Sequence, residues 1–154
     1  SIAHNQSVVI ASHFRDEIEN VENLSIIARV IRNLGHKPMF LVPPPRLLPN
    51  SITAACAESN SLPFYKLSRF FWPGGSRCPS TDRADALSVR SSGIVREAAK
   101  ISSSKPIDLF DACCGQDATR CTTVQNGTAL FRPDGIHLSH AGALHFSSII
   151  ENAL

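Results

Sequence analysis

Short apolar runs alternate with longer segments of helical periodicity, and this alternation constrains the fold more than any other feature. The run "SVVIASHF" (7–14) is rich in β-branched residues and has the length of a buried strand. The run "KPMFLV" (37–42) is a second predicted strand. Between them, segment 20–34 carries apolar residues at helical spacing, followed by Gly35 where a helix end favours a left-handed residue. The order is therefore strand, helix, strand.

The rest of the chain continues in the same manner. The pattern predicts a short helix over 51–60, a helix over 82–101 with a break near "SSG", a strand over 106–111, an extended piece over 128–131 and a helix over 139–154 capped by Ser139. The intervening loop "RFFWPGGSRCPSTDR" contains Phe70, Phe71 and Trp72, which we expect to pack over the core rather than to bind a ligand.

Strands that alternate with helices of this length predict a parallel sheet with helices on both faces. The expected fold is a three-layer α/β domain with a doubly wound sheet. In such sheets, functional groups collect at the carboxyl ends of the strands. The 154 residues suit a single domain or a portion of one.

Composition excludes several classes of function. The net charge is only +2, and no run of Lys and Arg is interleaved with aromatic residues, so nucleic acid is not an expected partner. No window approaches the roughly 18 apolar residues of a membrane span. The six His and five Cys lack zinc-ligand spacing, so no metal and no cofactor are expected.

The five cysteines instead favour an oxidising compartment. Either Cys113 or Cys114 could pair with Cys121 across a short loop, and Cys56 could pair with Cys78 across a longer one. One thiol would then remain. The alternative is five free thiols in a reducing compartment.

The stretch "ALFRPDGIHLSHAGALH" (129–145) holds the strongest candidate for chemistry. An Asp that accepts a hydrogen bond from His Nδ1 fixes the tautomer of the ring, and Nε2 can then remove a proton from a serine hydroxyl. A spacing of three residues on a loop before a helix lets Asp134 and His137 turn to the same side. The pair is a candidate for nucleophilic catalysis. A plain loop ion pair is the alternative.

The same stretch resembles the last conserved block of the SGNH (GDSL-type) hydrolases and acyltransferases, in which a D-x-x-H motif precedes the final helix. It is most similar to the SGNH domains of membrane acyltransferases that O-acetylate cell-surface glycans, where the block reads like "D-x-x-H-L-S-x-x-G-A". Asp134, His137, Leu138, Ser139 and the pair Gly142-Ala143 stand in register. Other segments, such as "VVIASHF" and "IIARVIRNLGHKPMFLVPPP", resemble the family only at the level of pattern.

The family's nucleophile lies in a Gly-Asp-Ser block, and no "GDS" occurs in these 154 residues. We therefore expect the serine to come from outside them, on a preceding segment or a second chain, which makes residues 1–154 the C-terminal portion of one SGNH-like domain. Ser12 and His13, at the end of the first predicted strand, are candidates for oxyanion or substrate contacts. A sheet without the strand that carries the serine would have unpaired edges and would need a partner for stability.

The resemblance implies a serine acyltransferase or acetylesterase on the periplasmic or extracytoplasmic side of a membrane, with a membrane domain attached upstream. Its partners would be an acetyl donor and a glycan acceptor, and this fragment alone would be inactive. The alternative is a non-catalytic glycan-binding or structural module that retained the fold.

Overall fold

The computed structural model describes residues 6–11, 20–48, 81–115, 117–125, 128–132 and 134–154. The elements over these ranges, in chain order, are β1 (Ser7–Ala11), α1 (Val21–Asn33), β2 (Lys37–Val42), β3 (Thr81–Asp82), α2 (Ala86–Ile101), β4 (Ile107–Asp108), α3 (Leu109–Cys114), β5 (Cys121–Thr122), β6 (Val124–Gln125), β7 (Thr128–Ala129) and α4 (His140–Glu151). The predicted helix over 51–60, the aromatic cluster at 70–72, Cys56 and Cys78 lie outside the described residues.

A parallel sheet with the strand order β1-β2-β4 forms the centre of the domain. Val9 pairs with Met39 in the first ladder, and Leu41 pairs with Ile107 in the second. Because all three strands run in one direction, their carboxyl ends lie at one edge of the sheet. The predicted parallel α/β architecture is confirmed.

Neighbouring residues set both ends of helix α1. The side chain of Asn20 accepts a hydrogen bond from the backbone N–H of Asn23 at 2.7 Å, which satisfies one of the free donors of the first turn. After the last turn, Gly35 has φ 82°, a conformation that glycine adopts without steric cost. The predicted bounds of 20–34 match α1 with its two caps.

The core is built on β2. Met39 and Phe40 point to opposite faces of the sheet because side chains alternate along a strand, and both are buried. Helix α1 packs against α2, and both helices contact β2, so these two helices share one face. A full helical layer on each face remains a prediction.

Two predicted elements differ from the observed ones. The strand predicted over 106–111 stops at Asp108, whose carboxylate accepts a hydrogen bond from the N–H of Asp111 at 2.8 Å and so starts α3. Arg96 fixes that carboxylate with two hydrogen bonds of 2.6 and 3.1 Å. The helix predicted over 82–101 begins only at Ala86, because Asp85 is its N-cap, and it continues through "SSG" without a break.

A disulfide joins Cys114 to Cys121. Of the two pairings that the sequence left open for Cys121, the structure therefore contains the one with Cys114 and not the one with Cys113. Cys113 remains a free thiol that is 5% exposed and donates a hydrogen bond to the carbonyl of Thr122 at 3.0 Å. Burial raises the pKa of this thiol to about 12. The thiol therefore stays protonated at neutral pH, and we expect it to react slowly with oxidants and alkylating agents while the fold is intact.

None of the helices in the described ranges combines the length and the apolar character that crossing a bilayer requires.

Candidate active site

Residues 131–132 and 134–138 belong to the loop that carries the candidate pair. Phe131 and Leu138 pair across its base as an antiparallel bridge. Just inside the bridge, the N–H of Arg132 donates to the carbonyl of His137 at 2.7 Å. Buried Phe131 contacts buried Phe146 of α4 edge to face. The base of the loop is thus fixed to the core, whereas Asp134, Ile136 and His137 are exposed to solvent.

The start of α4 is fixed to the strand before the loop. The hydroxyl of Ser139 accepts a hydrogen bond from the N–H of Gly142 at 3.0 Å and donates one to the carbonyl of Ala129 at 2.6 Å. Its backbone N–H also donates to the carbonyl of Leu130 at 2.9 Å. Ser139 is the predicted N-cap, and it also ties α4 to β7. It therefore holds the position of His137, two residues earlier.

Gly135 places the loop at the carboxyl edge of the sheet. Its carbonyl accepts a hydrogen bond from the N–H of Leu47 at 2.9 Å, and Leu47 follows the end of β2 at Val42. Gly135 has φ 68°, and a Cβ at this position would lie 3.1 Å from the Cβ of Leu47. Neither residue is conspicuous in the sequence. The only local signal was a Gly directly after the Asp.

One carboxylate organises both the loop backbone and the imidazole ring. Asp134 Oδ1 accepts hydrogen bonds from the backbone N–H groups of Ile136 and His137, both at 2.8 Å. Asp134 Oδ2 lies 2.8 Å from His137 Nδ1. The predicted pairing of Asp134 with His137 is therefore present in the structure.

This arrangement defines the chemistry available to His137. An ionised carboxylate can only accept, so Nδ1 must carry a proton, and Nε2 of the neutral ring is left as the acceptor. The side chain of His137 is 70% exposed, and Nε2 has no hydrogen-bond partner among the described residues. Nε2 is thus available to take a proton from a hydroxyl group brought to the loop.

Asp134 is held in its ionised form. Partial burial acts to raise the pKa of its carboxyl, but hydrogen bonds from the backbone and ring of His137 and from the backbone of Ile136 together outweigh burial. They lower the pKa to about 2. At neutral pH the carboxylate is therefore charged, as an acceptor for the Nδ1 proton must be.

We expect the carboxyl carbon of Asp134 to titrate with a midpoint near pH 2 in an NMR pH series. Since the pKa in the folded state lies below the unfolded value, ionised Asp134 stabilises the fold at neutral pH, and this contribution is lost as pH falls toward 2. In His137→Ala the midpoint should rise, because the ring hydrogen bond is lost. A wild-type midpoint near 3.9, the value for an unperturbed Asp, would contradict the geometry.

The structure adds little about the other residues considered for the site. Ser12 and His13 lie outside the described residues. In the described ranges, no group of three or more His, Cys, Asp or Glu side chains is arranged to hold a metal ion. His145 stacks edge to face on Phe146, so it has a packing contact away from the pair.

Comparison with known protein families gives one match, which covers nearly the whole chain. Residues 1–152 match the sequence profile of the family described as "SGNH domain (fused to AT3 domains)". Neither the curated proteins nor the solved structures contain a match. The matched segment covers nearly the whole chain and includes the Asp134–His137 loop, which confirms the resemblance seen in residues 134–143. The chain belongs to the family of SGNH domains that are fused to AT3 domains in acyltransferases.

Proposed function

We propose that this chain is the C-terminal portion of one SGNH domain, and that the complete domain is a serine acyltransferase or esterase acting on acetyl esters of cell-surface glycans. The hydrogen bond between Asp134 Oδ2 and His137 Nδ1 carries this proposal. It leaves Nε2 as an exposed base on a loop at the carboxyl edge of a parallel sheet. Membership of the family supports the acyl-transfer chemistry.

The reaction proceeds in two steps. A serine hydroxyl from outside these residues attacks the carbonyl carbon of an acetyl donor while His137 Nε2 accepts the hydroxyl proton. The tetrahedral intermediate collapses, the donor alcohol leaves with that proton, and an acetyl-serine ester remains. A glycan hydroxyl or water then attacks the ester, again losing its proton to Nε2, and serine is regenerated. Asp134 stabilises the imidazolium formed in each step.

The free edge of β1 is the place where we expect the serine to enter. Among the described residues β1 pairs only with β2, and Val9 on β1 is 47% exposed. A strand added there would hydrogen-bond to the unpaired edge and cover Val9. If that strand runs parallel to β1, its carboxyl end reaches the same edge as the loop. Ser12 and His13, which follow β1, are proposed as oxyanion or substrate contacts.

The environment we propose is the outer side of a membrane. The Cys114–Cys121 disulfide fits an oxidising compartment, and the AT3 fusions of the family fit attachment to a membrane acyltransferase. Acceptor and donor would then meet at the cell surface.

Trapping the acetyl-enzyme tests the proposal. A polypeptide that contains residues 1–154 and the preceding segment is mixed with an activated acetyl ester, quenched in acid and mapped by mass spectrometry. We expect acetylation of one serine outside these residues, which disappears on addition of a nucleophilic alcohol. Ser139 serves as the internal control, because its hydroxyl is occupied by α4 and Ala129 and should stay unmodified.

A non-catalytic glycan-binding module is the second candidate, favoured by the absence of a Gly-Asp-Ser block in these residues. If no serine becomes acetylated although the polypeptide is folded and retains the Asp134–His137 hydrogen bond, this second candidate replaces the first.

A further inference from the structure

An open pocket of about 510 Å³ lies at the end of the sheet where β2 and β4 begin. Its floor is apolar and includes Met39 and Ile107, whereas its rim is polar and includes Lys37, Ser103 and Lys105. This volume falls within the range of small-molecule sites, which is roughly 300–1,000 Å³.

The pocket and the Asp134–His137 loop lie at opposite ends of the domain. Strand β2 starts at the pocket and runs toward the loop, over about 17 Å for a strand of this length. Helix α4 starts next to His137, and Asn152, just after its last turn, lines the pocket about 18 Å away. The pocket is therefore not part of the candidate active site.

The charged residues of the pocket are all positive. Arg32, Lys37 and Lys105 line it, and no Asp or Glu does so among the described residues. The Arg32 guanidinium donates to the carbonyl of Ser102 and, at 3.1 Å, to the hydroxyl of Ser104, so it holds the loop after α2. In the described part of the chain, Lys37 and Lys105 form no ion pair. Their two ammonium groups remain available to an external anion.

Helix dipoles account for some of this charge but not for all of it. Arg32 lies in the last turn of α1, where a cation complements the negative helix end. Lys37 lies on a strand and Lys105 in a loop, so neither belongs to a helix terminus. Since the whole chain carries only +2, this concentration of positive charge is local.

Two large apolar side chains are exposed on the chain segments that also line the pocket. Leu34 is 68% exposed and lies between Arg32 and Lys37 in the sequence, and Ile101 is 59% exposed and lies two residues before Ser103. The contact between Arg32 and the loop after α2 brings these two segments together. Exposed aliphatic tips among lysines are typical of surfaces that rest on a bilayer.

We propose that this end of the domain docks on an anionic membrane surface. A lipid phosphate lies between Lys37 and Lys105, with the hydroxyls of Ser103 and Ser104 beside it, and Leu34 and Ile101 enter the headgroup region. The Asp134–His137 loop then faces away from the bilayer. This surface is separate from the proposed acyl transfer, and its test uses no enzymatic readout.

Vesicle sedimentation tests the proposal, with the same polypeptide as in the trapping experiment, which contains residues 1–154 and the segment that supplies the serine. We expect binding to an equal mixture of phosphatidylglycerol and phosphatidylcholine, and little binding to phosphatidylcholine alone. The double variant K37Q/K105Q should bind the anionic vesicles roughly 30-fold more weakly, from the usual contribution of a lysine near an anionic surface. The matched control R90Q/R120Q removes the same charge from exposed positions elsewhere and should bind like the wild type.

Leu34→Ser with Ile101→Ser probes the apolar contribution separately. These side chains are exposed, so the fold should persist, which circular dichroism checks. This variant should bind more weakly at low and high salt alike, whereas the lysine effect should shrink as salt screens the charges. Equal losses in both glutamine variants, or no binding to anionic vesicles, would overturn the proposal. Release of the bound chain by inorganic phosphate at constant ionic strength would identify a site for free phosphate instead.

Discussion

If the proposed mechanism holds, replacing His137 with alanine in a polypeptide that also supplies the serine should lower kcat for acetyl-ester turnover by roughly 10⁴- to 10⁶-fold, the loss measured in characterised serine triads. The side chain is exposed, so the loss reflects the missing base rather than a damaged fold. Steady-state kinetics with an acetyl ester measures it. Activity within tenfold of the wild type would remove His137 from the mechanism.

His140→Ala is the matched control. His140 is the exposed first residue of α4, three positions after His137, and no hydrogen bond or ion pair of its side chain is found among the described residues. We expect its turnover to stay within about twofold of the wild type, as is usual for a surface substitution. A comparable loss in both variants would mean that the loop, and not the base, had been damaged.

Asp134→Asn sharpens the same test. The amide oxygen can still accept from the backbone N–H groups of Ile136 and His137, so the loop should keep its shape. The amide NH₂ would then face Nδ1 and donate to it, which places the ring proton on Nε2. The base is thereby blocked, and a loss of about 10⁴-fold is expected.

Gly142→Ala should be strongly destabilising, because Gly142 leaves the least room for a Cβ among the described glycines. A Cβ at Gly142 would lie 1.9 Å from the backbone oxygen of Leu130, which directly follows β7. Either α4 or this backbone segment would therefore have to move. We expect a loss of roughly 3 kcal/mol in the free energy of unfolding, at the upper end of the range for overpacking. Urea denaturation measures it.

Gly93→Ala is the control: it makes the same substitution at another helical glycine, and we expect it to raise stability rather than to lower it. Gly93 lies within α2, is exposed, and a Cβ there would meet nothing within 4 Å. Alanine should stabilise this helix by about 0.5–1 kcal/mol, because glycine loses more backbone entropy on folding. If Gly142→Ala were also neutral or stabilising, the close contact between α4 and Leu130 would be wrong.

Features that depend on a few neighbouring residues could be predicted from the sequence. The left-handed Gly35, the N-cap Ser139 and the Asp134–His137 pair each rest on contacts within about four residues. The bounds of β2 and, nearly, of α1 followed from the apolar pattern. Strand β4 was predicted too long because Asp108 lies within the largely apolar run "PIDLFD". An Asp followed three residues later by a second acid, here Asp111, is also typical of a helix start, and that is what the structure contains.

The sequence by itself determined the parallel α/β class, the family and the candidate pair Asp134–His137, since these reside in periodicity and in one short block. Only the tertiary structure decided that Cys114 pairs with Cys121, that Arg96 fixes Asp108, that Gly135 meets Leu47 and that α4 lies against Leu130. Most of these contacts join residues that are far apart in the chain. They depend on how the elements pack, and no local spacing specifies that.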